Sequence, residues 1–264
     1  MTNRTNETTT LGVDLGDEEL RFVLQTLGAK ALPGTQFADL PEDELTVSLE
    51  AGLNSLRARG LVEINSDDEG RPLITLSRTL GALVGAGLIA QQVILLTYEQ
   101  GPGIGEVTWI YGAPDLIVVH GQASAGVHRF YIINSGDLFI STLVAALHLD
   151  TTQRQQSYQA LEIDPDLIAK MRSNAAQAAG LLTSAVKAPP ETLIAFAKAV
   201  MAPDSLSQVI LASQGEVRDQ FRLLFSSEAG YWGLSEQNGR LLCQPVEPLD
   251  ITGRINNWII AQRS

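Results

Sequence analysis

The chain has 264 residues, 45% hydrophobic and 18% charged, with a formal net charge of −12 from 30 acidic and 18 basic side chains. That balance describes a globular chain able to bury a large core and excludes a disordered one. The acidic excess repels phosphate backbones, which sets nucleic acid aside as a partner, and a lone cysteine, Cys243, excludes an internal disulfide and fits a reducing cytoplasm.

Residues 1–16 open with MTNRTNETTT, polar and without an apolar run, which reads as a disordered tail and not as a secretory signal. A helix is expected from Pro41 to Gly60, with proline and carboxylates in its first turn, where the helix dipole favours them. LVEIN and PLITLS then alternate as strands about the turn SDDEG, so residues 41–77 have the spacing of a winged helix. Its charges oppose a DNA reader. Glu42, Asp43, Glu44 and Glu50 outnumber Arg57 and Arg59, and Asp67-Asp68-Glu69 would face phosphates at the wing tip. DNA binding would require Arg57, Arg59, Arg71 and Arg78 to converge on one patch.

The uncharged stretch Thr79–Tyr98 approaches the length of a membrane span. Its three glycines, the pair Gln91-Gln92 and its β-branched end favour an apolar helix from Thr75 to about Ala90 and a strand from Gln92, so no membrane span is expected. Strands follow at 92–98, 106–111, 116–121 and 127–133, with a closing helix from Ser135. The second part repeats this order: a helix opening in IDPDLI, another closing in QAAGLL, and an apolar helix from Thr192. Strands near 208–213, 217–226, 230–236 and 240–244 and a closing helix from Glu247 complete it.

QVIL occurs at Gln92–Leu95 and again at Gln208–Leu211, and Gly-Glu-Val follows each, at 105–107 and 215–217. Matched landmarks in one order point to a duplication, with a first repeat over 17–150 and a second over 151–264. The fold class is α+β: two quasi-repeated halves, each helix-helix-antiparallel strands-helix, forming one pseudo-twofold molecule with a central antiparallel sheet and flanking helical bundles.

Motifs for chemistry are sparse. GPGIG, Gly101 to Gly105, runs into a strand pattern and lacks the Lys-Ser/Thr of a phosphate loop, so it reads as a hairpin. His120 and His128 can meet across HGQASAGVH, but no third metal ligand is recognisable. No serine stands in Gly-x-Ser-x-Gly, and helix initiation explains Asp164 and Asp166. No catalytic residue, metal or cofactor is expected. Trp109, Tyr111, Tyr131, Phe221, Tyr231 and Trp232 all fall on strands, where they either pack a core or line a partner-binding face. Trp109, Tyr111, Tyr231 and Trp232, with Gly101 and Gly103 of the glycine-rich loop, are the candidate partner-binding residues.

The segments LRFVLQTLGAKALP, LNSLRARGLV and LFISTLVAAL, set in the duplicated pattern, give a chain that resembles the EspG-type chaperones of type VII secretion from about Asp17 onward. The resemblance implies a cytosolic, quasi-twofold α+β protein, not an enzyme, that binds a secreted helical partner and keeps its apolar tip soluble. The long partner-engaging loop of that family has no obvious counterpart: GAPD, at 112–115, is brief, and YEQGPGIG lies one hairpin earlier. The expected function is a non-catalytic cytoplasmic protein-binding module that shields an apolar patch of a helical partner. The alternative is a winged-helix transcriptional regulator with an appended α+β sensing domain. Exposed strand edges leave room for a homodimer.

Overall fold

A computed structural model describes residues 11–35, 37–101, 105–153 and 157–261. Among these it has twelve strands and eight α-helices, in two compact units.

The first unit holds the chain up to Val93 together with Thr108–Ser135. Its elements are β1 (Gly12–Gly16), α1 (Asp17–Thr26), α2 (Glu42–Ala58), β2 (Val62–Ser66), β3 (Pro72–Leu76), α3 (Arg78–Ile89), most of β5 (Gly105–Ala113), β6 (Leu116–Ser124) and β7 (Val127–Ile133). The strands run in the order β1-β7-β6-β5, and β2 and β3 form a separate hairpin. The strand β1 corrects the end of the expected tail, because Gly12 already pairs antiparallel with Tyr131 and Leu15 is fully buried opposite His128, while residues 1–10 lie outside the described residues. Five residues with two glycines and an aspartate carry too little strand propensity to announce themselves.

Each helix of this unit has a local reason to start and stop. The Gly16 N–H donates to Glu19 Oε2 at 3.0 Å, and Asp17, Glu18 and Glu19 fill the first turn of α1. At its far end Gly28 has φ +75°, its N–H donates to the Gln25 carbonyl and that of Ala29 to the Leu24 carbonyl. Gly60 ends α2 in the same way, as the sequence suggested. The helix expected from Thr75 begins instead at Arg78: Ser77 accepts the Leu80 N–H at its start, and Thr75 and Leu76 belong to β3. Against one face of the strands, α1, α2 and α3 bury Leu20, Val23, Leu56, Leu80, Leu83 and Val84 around Tyr111, Val118 and Phe130.

The second unit holds Ile94–Val107 and the chain from Gly136. It contains most of β4 (Gln92–Glu99), then α4 (Gly136–Ala146), β8 (Leu161–Ile163), α5 (Pro165–Ser173), a 3-10 turn at 175–177, α6 (Ala178–Ala185), α7 (Pro190–Met201), β9 (Ser205–Ser213), β10 (Glu216–Ser226), β11 (Gly230–Gln237), β12 (Arg240–Val246) and α8 (Pro248–Ala261). The strand order is β4-β9-β10-β11-β12-β8, antiparallel from β9 onward, with a bulge between Val217 and Asp219 of β10. One face packs Leu224, Trp232, Leu234 and Cys243 under α5, α6 and α7, where Leu167, Met171, Leu182 and Phe196 meet them. On the other side α4 packs beside α8, and Arg254 of α8 lies over the Phe221 ring at 4.3 Å. The helix α6 runs through Gly180 and does not close there, because Gly180 lacks the left-handed backbone that ends α2 at Gly60.

The uncharged stretch Thr79–Tyr98 divides into α3 and β4, and no helix among the described residues is long and apolar enough to cross a membrane.

At Gly52 the helices α1 and α2 touch backbone to side: a Cβ there would lie 2.3 Å from the Glu18 carbonyl oxygen. Gly52→Ala is expected to cost about 1–3 kcal/mol by forcing the two helices apart. Gly81→Ala, with open space around it, should leave stability unchanged or raised. Denaturant titrations of both variants check the contrast.

Candidate protein-binding surface

The second unit carries a groove of about 410 Å³ between α5 and the strands. Strand register builds its floor. Leu206 stands opposite Leu224, Gln208 opposite Arg222, Arg222 opposite Leu234, and Glu236 opposite Leu241. The residues facing it therefore form an apolar bed with Gln208, Gln220, Arg222 and Glu236 toward one end. The wall comes from α5, begun by Asp164, whose carboxylate accepts the Asp166 N–H at 2.9 Å, and by Pro165 in the first turn. Leu167 and Met171, four residues apart, turn into the core. The neighbouring stripe, Ile168 and Arg172, is left to the groove.

In the first unit the sheet face under α1, α2 and α3 is covered further. In the link from α1 to α2, Leu32, Pro33 and Gly34 lie over the strands there. Gly34 presses on the Trp109 indole so closely that a Cβ would meet Nε1 at 1.9 Å, and its φ of +85° suits glycine alone. The Tyr111 hydroxyl donates to the Pro33 carbonyl at 2.8 Å, and Leu32 is buried. In the second unit residues 174–177 alone connect α5 to α6. Too short to reach across, that link leaves its sheet face open.

The sequence-derived aromatic candidates do not make a surface. Tyr111 and Trp232 are fully buried and Tyr231 nearly so, and Trp109 is half-buried beneath Gly34. They divide between the units: Tyr111 and Trp109 pack in the first, while Trp232 stacks on Tyr158 and meets Phe196 edge-on in the second. The Tyr231 hydroxyl accepts the Asp150 N–H at 2.8 Å. Gly101, at φ +72°, is exposed in the β4–β5 turn, and Gly103 lies outside the described residues. The groove residues Ile168, Arg172, Leu206, Arg222 and Leu241 escaped notice. Their one sequence signal is the apolar run on both parities of β9, with Leu206 on one and Val209 and Leu211 on the other.

Two of the four cations expected to mark a DNA surface are engaged elsewhere. Arg59 pairs with Glu19 at 2.6 Å and donates to the Asp14 carbonyl, and Arg71 pairs with Asp67 and Glu69 in the wing turn. His120 and His128 do meet across their hairpin, Nε2 to Nδ1 at 3.0 Å, ring to ring with nothing between them. No group of three or more metal-binding side chains occurs among the described residues. Burial pushes the Cys243 thiol up to about 12, so it stays protonated.

No protein-family model matches the chain, and no curated protein matches it. Among solved structures, it is similar to the Mycobacterium tuberculosis type VII secretion system chaperone EspG5 in complex with the PE25-PPE41 dimer. The likeness has a TM-score of 0.64 at 10% identity and covers 91% of this chain and 93% of that one. At that identity what is shared is the fold.

Burial works to raise the Glu19 carboxyl, but hydrogen bonds from Ser55, Arg59 and the Gly16 N–H, with the Arg59 charge, outweigh it and hold it below the ordinary carboxylate range. A depressed folded value adds stability above the unfolded value of 4.5 and loses it as pH falls through the folded one. Arg59→Leu should therefore lower stability at pH 7 by about 1–3 kcal/mol and flatten the loss of stability below pH 4.5, as read by urea unfolding at stepped pH.

Proposed function

We propose that this chain is a non-catalytic, cytoplasmic, chaperone-like protein-binding module that shields an apolar patch on a helical partner. The open groove of the second unit carries the reading: Ile168, Leu206, Leu224, Leu234 and Leu241 offer an aliphatic bed, and Arg172 and Arg222 offer two cations on an otherwise acidic chain. A helical tip presenting aliphatic side chains flanked by a carboxylate suits such a site. Fold likeness over almost the full length of a secretion chaperone captured with its protein partners supports the same class.

The architecture belongs to this reading. The elements run β1-α1-α2-β2-β3-α3-β4-β5-β6-β7-α4 and then β8-α5-α6-α7-β9-β10-β11-β12-α8, so that removing the β2–β3 hairpin leaves one order twice. Two copies of one unit, 17–150 with β1 just ahead of it and 151–264, related by a pseudo-twofold axis, account for this and for the paired QVIL segments. In that arrangement Trp109, Tyr111, Tyr231 and Trp232 back the binding surfaces from within, and exposed Gly101, with Gly103 two residues on in sequence, is a second place for the partner to touch.

The test is a tagged pull-down from the native host's lysate with nuclease treatment in parallel, comparing the wild-type chain with Leu241→Glu and Ile168→Glu. Both positions are partly exposed, so the fold should survive with losses of about 1 kcal/mol, checked by circular dichroism. A small helical protein retained by the wild type after nuclease and lost at least tenfold in both variants is the expected result. Undiminished capture by the variants, or recovery of nucleic acid alone, would reject the groove.

A further inference from the structure

A hydrogen-bonded file of side chains runs through the first unit from its surface to the turn that closes the sheet. His128 Nε2 lies 2.9 Å from Asp17 Oδ1, His128 Nδ1 lies 3.0 Å from His120 Nε2, and His120 Nδ1 lies 3.0 Å from the Tyr111 hydroxyl. The Tyr111 hydroxyl in turn lies 2.8 Å from the Pro33 carbonyl. We propose that this file is a proton-operated latch on the Leu32–Thr35 turn, closed when one extra proton is taken up at the Asp17–His128 end and open without it.

Counting hydrogens gives the mechanism. Tyr111 has one hydroxyl hydrogen and two neighbours that can accept it, the Pro33 carbonyl and His120 Nδ1. Suppose the hydroxyl donates to Pro33. His120 Nδ1–H then donates to the Tyr111 oxygen, His120 Nε2 accepts from His128 Nδ1–H, and His128 Nε2–H donates to Asp17. Every position is satisfied, and His128 is an imidazolium against the Asp17 carboxylate. Remove one proton and the inner bonds reverse. The hydroxyl donates to His120 Nδ1, His120 Nε2–H donates to His128 Nδ1, and His128 Nε2–H still donates to Asp17. Both histidines are neutral, and the Pro33 carbonyl faces a phenol oxygen that has no hydrogen for it.

Packing restricts the change to protons. The His120 ring lies flat on Phe130, centroids 4.3 Å apart and 5° from parallel, and Phe37 meets His128 edge-on. His120 is 3% exposed and Tyr111 is fully buried. The added charge belongs on His128, since burial, and secondly the His128 charge, push His120 down to about 3. Other charges at this end are placed already. Asp14 on β1 pairs with Arg129 on β7, Glu19 pairs with Arg59 of α2, Arg21 lies over the Phe37 ring, and Glu18 stands exposed in the first turn of α1. Asp17 itself sits in the first turn of α1.

The turn has a local fastening of its own, with the Leu32 N–H donating to the Thr35 hydroxyl at 2.8 Å and that hydroxyl donating to the Leu32 carbonyl. The Tyr111–Pro33 bond at the end of the file ties the turn to the sheet by a hydrogen bond, beside the buried Leu32 side chain and the Gly34–Trp109 contact. Lower pH therefore fixes Gly34 against Trp109, and higher pH frees it. This inference does not rest on the groove reading, since it concerns the other unit.

Nitrogen-15 spectra of the histidines over pH 4–9, with the Gly34 amide and the Trp109 indole followed in parallel, test it. The expected result is that His120 carries its proton on Nδ1 at low pH and on Nε2 at high pH. Gly34 and Trp109 should shift with the same midpoint as His128. Tyr111→Phe keeps the ring in its packing but should abolish the pH response of Gly34 while His128 still titrates. His128→Gln should fix the His120 tautomer across the range. An unchanged His120 tautomer in the wild type, or a Gly34 response that survives either substitution, would overturn the proposal.

Discussion

A β-strand apolar on both parities has two faces to hide, and in this chain nearly every central strand is of that kind. On β10, Leu223 points to one side and Leu224 to the other, and both are buried. Helices on both sides are the ordinary answer. They cover a sheet in stripes, however, and what lies between stripes depends on the linkers. In the first unit the long link from α1 to α2 lays Leu32, Pro33 and Gly34 over the strands. In the second the short link from α5 to α6 cannot. One constraint, met by linkers of different length, thus yields a sealed face and a groove.

Electrostatics reinforces that division. A chain this acidic has few cations, and the first unit spends several of them on itself, Arg59 on Glu19, Arg129 on Asp14 and Arg71 on its own turn. Beside α2 and the β2–β3 hairpin, Arg59 and Arg71 are thus held by carboxylates of their own unit. That hairpin has Ile64 directly opposite Ile74, both exposed. An isolated hairpin of that kind gains stability from protein contact more readily than from phosphate. In the groove, by contrast, Arg172 and Arg222 stand beside leucines, and on the proposed reading they would favour a carboxylate-bearing ligand.

The sequence announced the eight central strands because their apolar runs are broken by Gly, Asn and Gln turns, and the observed bounds differ by a few residues. It was silent on β1 and β8, which are short and exist because an edge strand offers them partners. Parity marks Trp109, Tyr111, Tyr231 and Trp232 as lying on strands but does not say which face a helix will cover, so rings that look like anchors are core. The groove was illegible for a related reason: nothing in residues 174–177 states that they fail to reach. Gly34 is the most instructive single residue, one glycine among many until its Cβ position is found inside an indole ring.

The same geometry explains why the histidines matter although no metal or catalytic pattern attends them. His120 occupies a position on β6 directly opposite Trp109 on β5, the ring that Gly34 covers. Buried histidine without a partner would cost more than an apolar side chain there, so its retention requires satisfied nitrogens. Asp17, His128 and Tyr111 supply that satisfaction, but Tyr111 is shared with the Pro33 carbonyl. On the proposed latch, a sheet face fastened in part by one shared hydroxyl hydrogen is sealed conditionally, and the condition is set at the Asp17–His128 end of the file.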